Sequence, residues 1–570
     1  MKRSTLSLAI AAMSASVPLL AATQAEIDAA AQQATELQSQ QQQRLEQQRQ
    51  SLDGAKAPSG LDVDALTSER VELPFAAGEC IELDRLKVSG ATLLDEWEVE
   101  VLEVPFLGKC ITADLASSVL ASATDFYISR GFITTRAYLP NQDLNDGVLQ
   151  VYVAEGQVEE KRLMGDAKSM NLATTFLSGA GEPLTIRDLE QAVDQLNAVP
   201  GNDVTMSVLP GTQPQTSQVV FQNAGKPGVQ GKVLLDNSGS EATGQNGVSV
   251  TLKAGNLLEL GEVWTLSARE SLSESKKDSE SYSLDLRVPY GYNTFGAGIS
   301  KSGYDTVLVF PTTGTELTSE GASDSAYVSA NRVVYRDQNS KHSVDLKLKR
   351  DSTESYIADT KIDVSSRSVS SLVLSSESVL GFDRSVLVVT PEISLGLHEV
   401  DNLPAGVNTP VENPQAEYLR YRLTLDWNQP FTLADNAMRW QSKLRAQHSS
   451  EPLYGSQQLI IGGASSVRGF YDVSASGDQG YFWQNSLFLQ DSLSLGSTQV
   501  GVEYMLGYDI GRVTSVREGV YEGTLQSATL GASFSLAPWS LEINHGIPLS
   551  IDGERDKGDE YTRAVIGLDF

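Results

Sequence analysis

Apolar and polar residues alternate in two-residue steps along the C-terminal part of the chain, from about Lys226 onward. In the segment YLRYRLTLDWNQ, one side carries Leu419, Tyr421, Leu423, Leu425 and Trp427, and the other carries Arg420, Arg422, Thr424 and Asp426. The same period places apolar residues at Val248, Val250, Leu252, Ala254, Trp264, Leu266, Ala268, Tyr282, Leu284, Leu286, Val288, Val344, Leu346 and Leu348. Side chains alternate between the two faces of a strand, so this pattern predicts a barrel with lipid outside and water inside. A soluble sandwich alternates in the same way, and periodicity alone leaves it open.

The length of this region sets the size of the predicted barrel. Residues 226–570 allow about sixteen strands if a strand and its connection take roughly 20 residues. The final segment, RAVIGLDF, places Ala564, Ile566, Leu568 and Phe570 outward, so a terminal aromatic residue ends the last strand. After residue 22 there is no run of 18 or more apolar residues that would form a membrane-spanning helix. A membrane crossing by this chain would therefore use strands.

Two stretches before the barrel mix helical and strand patterns. In 79–156, IELDRLKVSG, FITTRAYLP and GVLQVYVAEG predict strands, and TADLASSVLASATDFYISRG predicts a helix with Leu115, Val119, Ala123 and Phe126 on one face. In 157–225, the helix TIRDLEQAVDQLNAVPG begins with Thr185 and Asp188 in capping-box spacing and carries Leu189, Val193 and Leu196 on one face. Each stretch predicts a β-α-α-β-β module. The fold class is thus α+β modules followed by an all-β transmembrane barrel.

The N-terminus has the order of a secretory signal peptide, predicted at 1–22. Lys2 and Arg3 precede the apolar segment LSLAIAAMSASVPLLAA, which ends in small residues. A buried N-terminal helix is the alternative. Residues 23–51 are rich in Gln, Ala and Glu and predict a solvated helix, or else a disordered tail, and 52–78 forms a linker.

Charge and cysteine content limit the function classes. The formal net charge of −30 would repel nucleic-acid phosphates, so no nucleic-acid partner is expected. Cys80 and Cys110 are the only cysteines, and an oxidising compartment would let them form a disulfide worth roughly 3.5 kcal/mol. Two buried free thiols are the alternative.

Sequence signals for an enzyme are weak. There is no G-x-S-x-G elbow and no P-loop, and the four histidines, at 342, 398, 448 and 545, lack metal-ligand spacing. No catalytic residues, metal or other cofactor are therefore predicted.

Several motifs, in this order, resemble the TpsB family of two-partner secretion transporters. PFLGKC, YISRGFITTRAYLP, QDLNDGVLQVYVAEG and RDLEQAVDQLN are similar to the family's two periplasmic POTRA domains, and SSVRGF is similar to its signature loop. The resemblance covers essentially the whole chain. It implies an outer-membrane transporter of a Gram-negative bacterium, with POTRA domains in the periplasm and an N-terminal plug helix that occupies the lumen at rest.

The resemblance also implies the roles of particular residues. The signature loop, 455–480, would fold into the barrel, where Arg468 would meet Asp509 of the wall motif GYDIG. Gly507 and Gly511 would leave room for the loop, while Gly462, Gly463 and Gly469 would permit tight turns beside Val467. Phe470 would anchor the loop tip, and the pair would contribute only about 0–1 kcal/mol, as ion pairs near water do.

The implied partner is an unfolded TpsA-type exoprotein: an adhesin, haemolysin or contact-dependent toxin. It would add an extended segment to a POTRA strand edge and pass through the barrel without ATP. Outer-membrane lipids and the barrel assembly machinery complete the expected partners. One departure from the family is FWQNSL, where Gln484 and Ser486 replace a charged pair usual in relatives. A general outer-membrane insertase and, less favoured, a passive porin are the alternative functions.

Overall fold

The computed structural model describes residues 80–165, 170–226, 228–273, 277–309, 316–362, 366–397, 414–471, 473–517, 522–552 and 557–570. Two small α/β modules and a large closed β-barrel make up this part of the chain. The predicted signal peptide (1–22), plug helix (23–51) and linker (52–78) lie outside the described residues.

The first module contains a three-stranded sheet and two helices. Its elements are β1 (Arg85–Ser89), α1 (Glu96–Glu103), α2 (Ala113–Ser129), β2 (Arg136–Tyr138) and β3 (Val148–Ala154). The sheet order is β1-β3-β2, with β1 parallel and β2 antiparallel to the central β3. This is the predicted β-α-α-β-β order.

Helix α2 begins at the side chain of Thr112, which accepts a hydrogen bond from Leu115 N. Val119 and Ala123 are buried as predicted, but Phe126 is only half-buried, and its ring lies beneath the Arg130 guanidinium. Tyr127 is fully buried instead, because its hydroxyl donates to the Glu155 carboxylate at 2.8 Å. The predicted helical face was therefore wrong at Phe126.

A disulfide joins the start of this module to the start of α2. Cys80 and Cys110 are bonded, with their Cα atoms 5.1 Å apart. Glu82 also forms an isolated β-bridge with Cys110. The crosslink therefore ties the segment before β1 to the segment before α2.

The second module repeats the arrangement. Its elements are β4 (Gln157–Gly165), α3 (Leu172–Thr175), α4 (Ile186–Asn197), β5 (Val204–Pro210) and β6 (Thr216–Asn223). The sheet order is β4-β6-β5. Helix α4 is capped by Thr185, whose side chain accepts from Asp188 N, and it buries Leu189 and Leu196 against the sheet.

The remaining strands are β7 (Gln230–Asp236), β8 (Gly247–Gly255), β9 (Val263–Ser271), β10 (Asp278–Tyr290), β11 (Asn293–Val309), β12 (Glu316–Arg336), β13 (Ser340–Ile357), β14 (Thr360–Lys361), β15 (Arg367–Phe382), β16 (Ser385–Leu397), β17 (Leu419–Leu433), β18 (Asn436–Ser449), β19 (Leu459–Ile461), β20 (Ala475–Gly477), β21 (Gln479–Leu495), β22 (Thr498–Thr514), β23 (Gly523–Leu536), β24 (Trp539–Ile551) and β25 (Tyr561–Asp569). All except β19 and β20 belong to one closed barrel, in which β14 is only a two-residue extension beside β13. The predicted antiparallel barrel of sixteen strands is confirmed.

The barrel closes where the last strand pairs with the first. Strand β25 lies antiparallel to β7, with Leu568 opposite Val233, and Gly231 and Phe570 exchange two backbone hydrogen bonds of 2.7 and 2.9 Å. The barrel sheet therefore has no open edge, as a membrane-spanning sheet requires. Within the described ranges, no helix is long and apolar enough to cross a bilayer.

The two faces of the wall differ in polarity. Exposed apolar side chains on the outer face include Leu266, Tyr282, Leu284, Leu346, Leu348, Tyr421, Trp427, Ile566 and Phe570. The alternate positions face inward and carry buried polar residues such as Ser249, Ser267, Ser283, Arg420 and Asp509. Lipid-facing and lumen-facing residues therefore follow the predicted two-residue period.

Helix α4 of the second module packs against one end of the barrel. Arg336, at the end of β12, is buried and lies 3.3 Å from Glu190 and 3.0 Å from Asp194. Tyr292, in the turn between β10 and β11, donates its hydroxyl to Asp188 at 2.8 Å. Burial, helped by the Asp188 carboxylate, raises the pKa of Tyr292, so the hydroxyl stays protonated and keeps this bond.

Candidate functional site

The connection between β18 and β21 enters the barrel and forms the candidate site. Within it, β19 and β20 pair as a short antiparallel hairpin, with Leu459 opposite Gly477 and Ile461 opposite Ala475. A cluster of buried apolar residues joins this loop to the barrel wall: Leu459, Ile461, Val467, Phe470, Ala475, Phe482, Val513 and Leu525. Because the last three belong to β21, β22 and β23, the loop is packed against three adjacent wall strands.

Two glycines turn the chain at the start of the loop tip. Gly462 and Gly463 have φ values of 107° and 83°, a backbone region that other residues rarely adopt. The tip is closed by a hydrogen bond from Gly463 N to Phe470 O of 2.8 Å and by one from Ser466 Oγ to Gly462 O of 3.0 Å. These bonds hold residues 462–470 as a compact turn that presents Arg468 to the wall.

Arg468 forms a two-pronged ion pair with Asp509 of β22. Its Nε atom lies 2.8 Å from Asp509 Oδ2, and its Nη2 atom lies 2.6 Å from Oδ1. The Arg468 backbone N–H also donates to Oδ2 at 2.9 Å. A planar guanidinium matched to both carboxylate oxygens fixes direction as well as distance, which a lysine ammonium would not do.

The guanidinium has further partners on β21. Nη1 donates to Ser486 Oγ at 2.9 Å, and Nη2 donates to Asn485 O at 3.2 Å. Ser486, one of the two positions predicted to depart from the family pattern, therefore takes part in the site. Gln484 lies opposite Asp509 in the strand register, but no hydrogen bond joins it to Arg468.

The pair is more enclosed than the sequence predicted. The Asp509 side chain is 0% exposed and that of Arg468 is 16% exposed. The value of about 0–1 kcal/mol applies to pairs in contact with water. Removing one partner of a buried pair costs about 3–5 kcal/mol, because it leaves a buried charge uncompensated. The figure for exposed pairs therefore does not apply here, and removing either partner is expected to cost more than that figure.

The wall glycines make space for the loop. A Cβ atom on Gly507 would lie 2.9 Å from Arg468 Nη2, and one on Gly511 would lie 2.9 Å from Val467 Cγ2. Gly546, on β24, has the same function, because its Cβ would lie 2.8 Å from Arg468 O. A side chain at any of these positions would push the loop away from the wall.

The prediction that Gly469 permits a tight turn needs correction. Among the described glycines with positive φ, Gly462 and Gly463 appear but Gly469 does not. Gly469 is needed for close approach instead, since its Cβ would lie 2.3 Å from Ser527 Cβ. Its backbone N–H donates to Ser527 Oγ at 3.0 Å, so the loop touches β23 directly.

Phe470 lies 1% exposed within the apolar cluster shared by loop and wall. Next to it, the ring of Tyr471 stacks on that of Tyr561 of β25, with 4.0 Å between centroids. The loop tip therefore also contacts the last strand of the barrel, next to the point where the barrel closes.

Sequence reasoning missed Asp478, which holds the base of the loop. This carboxylate is fully buried and accepts hydrogen bonds from Leu453 N, Gln458 Nε2, Ser515 Oγ and Val516 N, at 2.8, 2.9, 3.1 and 2.9 Å. Its donors come from the loop and from the end of β22. In the sequence, Asp478 is one acidic residue just before a strand. Nothing in that pattern indicates that its carboxylate is buried and holds the loop base.

A cavity of about 310 Å³ lies between the loop and the neighbouring wall strands β7–β9 and β23–β25. Its charged lining consists of Asp236, Arg269, Arg468 and Arg563, and Asp236 holds Arg269 at 2.6 Å. The lumen beside the loop is therefore polar. Among the described residues, no group of three or more His, Cys, Asp or Glu side chains is arranged to hold a metal ion.

Comparison with known proteins agrees with this architecture. Two POTRA-domain models match the modules: the ShlB-type POTRA domain at 81–156 and a POTRA domain at 157–210. The chain is also similar to a solved structure of CdiB from Escherichia coli, with a TM-score of 0.81 and 27% identity, covering 94% of this chain and 98% of that one. The protein is thus an outer-membrane β-barrel with periplasmic POTRA domains.

The family is shown by sequence. The model for the haemolysin secretion/activation protein ShlB/FhaC/HecB matches residues 215–534, and the chain belongs to this family, the TpsB transporters of two-partner secretion. The outer membrane transporter CdiB of Escherichia coli O6:K15:H31 is 30% identical over 511 residues, which are 88% of this chain and 84% of the relative. The outer membrane transporter CdiB of Dickeya dadantii is 29% identical over 500 residues, covering 86% and 87%.

Proposed function

We propose that this protein exports a large, unfolded partner protein from the periplasm through its barrel to the cell surface or medium. The observation that carries the proposal is the signature loop, held inside a closed barrel by the Arg468–Asp509 pair. A loop fixed to one side of the lumen narrows the passage without filling it, since a polar cavity remains beside it. Transport rather than catalysis is the proposed activity.

The partner is captured at a strand edge of the modules. In the second module, β5 pairs with β6 only, and its other edge has no strand partner within the described chain. An extended segment can add to such an edge through backbone hydrogen bonds, which need little sequence specificity. The exposed Leu209 offers a contact for an apolar side chain of that segment.

The second module delivers the captured segment to the barrel. Arg336, Glu190 and Asp194 fix α4 beneath the barrel turns, so β5 is held at the periplasmic mouth. No nucleotide drives the step. Folding of the partner outside removes the unfolded form and so prevents its return.

The partner is of the TpsA type: an adhesin, a haemolysin or a contact-dependent toxin. The family description, which names haemolysin secretion, supports this class. Lipids of the outer membrane surround the apolar band, and the barrel assembly machinery inserts the strands. The plug helix predicted at 23–51 is proposed to leave the lumen during export.

A comparison of proteins in the culture medium tests the function. We expect one large protein to disappear in a deletion strain and in an Arg468→Ala strain whose barrel still reaches the outer membrane. The matched control is Arg439→Ala, because Arg439 is a wall arginine whose partners Glu503, at 2.8 Å, Gln441 and Phe488 all belong to wall strands. An unchanged medium in the deletion strain, or a joint fall of many outer-membrane proteins, would show that the proposal is wrong.

A further inference from the structure

On each of the four adjacent strands β10–β13, a row of outward-facing apolar side chains gives way to polar or charged residues. The rows end at neighbouring positions on the four strands. On β10 the row ends at Leu284 and Tyr282, on β11 at Ile299, on β12 at Ala326 and on β13 at Leu348. Leu284, Ile299 and Ala326 lie opposite one another in the register, whereas Tyr282 is opposite Lys301 and Leu348 is opposite Val328, each one two-residue step from that row. The line marks one border of the lipid-facing band.

This border lies on the side of the membrane away from the POTRA domains. The turn at Tyr292 touches the second module, so it marks the periplasmic end of β11. Lys301 follows Tyr292 by nine residues (301 − 292), or about 30 Å along a strand. With a tilt of about 40°, this is about 23 Å along the membrane normal, close to the usual height of the apolar band. The border therefore faces the outer leaflet.

Two cations lie at the border, Arg350 in the same register row as Ala326 and Lys301 one step beyond Ile299. Lys301 and Arg350 are exposed on the outer face, and neither has a carboxylate within ion-pair distance in the described part of the chain. Asp324 lies between them, opposite Lys301 in the register. Glu280, the first acidic residue above the border on β10, accepts a hydrogen bond from the Tyr282 hydroxyl at 3.2 Å.

A groove of about 470 Å³ runs between these cations and the apolar rows. Its apolar wall consists of Leu266, Tyr282, Leu284, Ile299 and Ala326, and Lys301 and Arg350 border it. A ligand that fits this groove has a hydrocarbon part, which contacts the apolar wall, joined directly to an anionic part, which contacts the two cations. In a membrane, a lipid with a phosphorylated headgroup has this form.

We infer that the groove binds a phosphorylated glycolipid of the outer leaflet, with phosphate oxygens on Lys301 and Arg350 and acyl chains along the apolar wall. Positions 301 and 350 are two strand spacings (about 10 Å) and two residues (about 7 Å) apart, or about 12 Å in all, so each cation can meet its own phosphate. Asp324 lowers the local positive charge, so an inorganic phosphate ion without acyl chains gains little there. The hydrocarbon contact is therefore required for binding.

Native mass spectrometry of the detergent-solubilised, full-length protein titrated with bisphosphorylated lipid A tests this site. We expect the Lys301→Gln/Arg350→Gln double variant to bind about 25-fold more weakly, because each basic side chain at a membrane surface contributes roughly a factor of five. Arg384→Gln is the matched control, since it removes one exposed cation from the turn between β15 and β16, at the periplasmic end. This control should bind like the wild type.

Two further probes identify what is bound. The first probe is lipid A without its phosphates, which should bind the wild-type protein as weakly as intact lipid A binds the double variant. The second probe is excess inorganic phosphate, which should not displace lipid A from the wild-type protein. All variants are first shown to be folded by their faster migration on unheated gels. Equal affinity of wild type and double variant for lipid A, or displacement by inorganic phosphate, would overturn the inference.

Discussion

Replacing Arg468 by alanine is expected to free the signature loop from the barrel wall while the barrel stays folded. The change removes the two side-chain bonds to Asp509, of 2.8 and 2.6 Å, and the bond to Ser486 of 2.9 Å. Of the donors to Asp509, only the Arg468 backbone N–H remains. The buried carboxylate then favours loop positions in which water can reach it.

The size of this effect follows from the burial of the pair. Losing one partner of a fully buried pair costs about 3–5 kcal/mol, and the partial exposure of Arg468 reduces this to about 2–3 kcal/mol. If the loop opens as a local unit, the population of the open form rises about 30- to 150-fold. Arg468→Lys keeps the charge but loses the planar fork, so its effect should be intermediate.

A cysteine introduced in place of Ser466 provides the assay. Ser466 is 2% exposed, so the thiol of a Ser466→Cys variant reacts with a maleimide only when the loop opens. The two native cysteines are joined in a disulfide and do not react. We expect Arg468→Ala to increase the labelling rate of the introduced thiol about 30- to 150-fold in purified protein.

Two controls make the result interpretable. Arg439→Ala removes a wall ion pair outside the loop and should leave the labelling rate unchanged. Adding Asp509→Ala to Arg468→Ala removes the uncompensated charge and should recover part of the protection. A labelling rate that stays the same in the Arg468→Ala protein would refute the reasoning that this pair holds the loop.

Three further predictions concern the modules and their contact with the barrel. Arg336→Ala should increase hydrogen exchange in helix α4, because it removes the buried guanidinium that pairs with both Glu190 and Asp194, whereas Arg332→Ala, an exposed position on the same strand, should not. Replacing Cys80 and Cys110 by serine should lower the free energy of unfolding of the first module by about 3.5 kcal/mol in urea titrations, and no change would contradict the crosslink's role. Hydrogen bonds from Thr216 and the neighbouring turn lower the pKa of Glu159 from its usual 4.5 to about 2. The second module should therefore lose stability as the pH falls from about 4.5 towards 2, and Glu159→Gln should flatten that part of the pH profile of its unfolding.

The barrel was predictable because its signal is local. Alternate residues on each strand face lipid or lumen, so the two-residue period at Tyr421 and Trp427 is visible in any short window. The helix face of α2 was harder to predict. Apolar spacing favoured Phe126, but burial of Tyr127 depends on a hydrogen bond to Glu155, which is 28 residues away.

The candidate site was predictable only in part. The resemblance supplied Arg468 and Asp509, whose side chains do meet in the structure. Ser486 and Ser527 lie 18 and 58 residues from the loop residues that they contact, and serine is common on inward-facing positions throughout the barrel. Only the curvature of the closed sheet brings these small residues to the loop, so no local pattern distinguishes them.

The most direct test of transport through the barrel is photo-crosslinking from the wall during export. Thr424 and Leu425 are neighbours on β17, and their side chains point to the lumen and to lipid respectively. With a photoreactive residue at position 424, the account predicts a crosslink to the exported protein, and from position 425 it predicts none. Equal crosslinking from both positions, or none from position 424 while export proceeds, would contradict passage through the lumen.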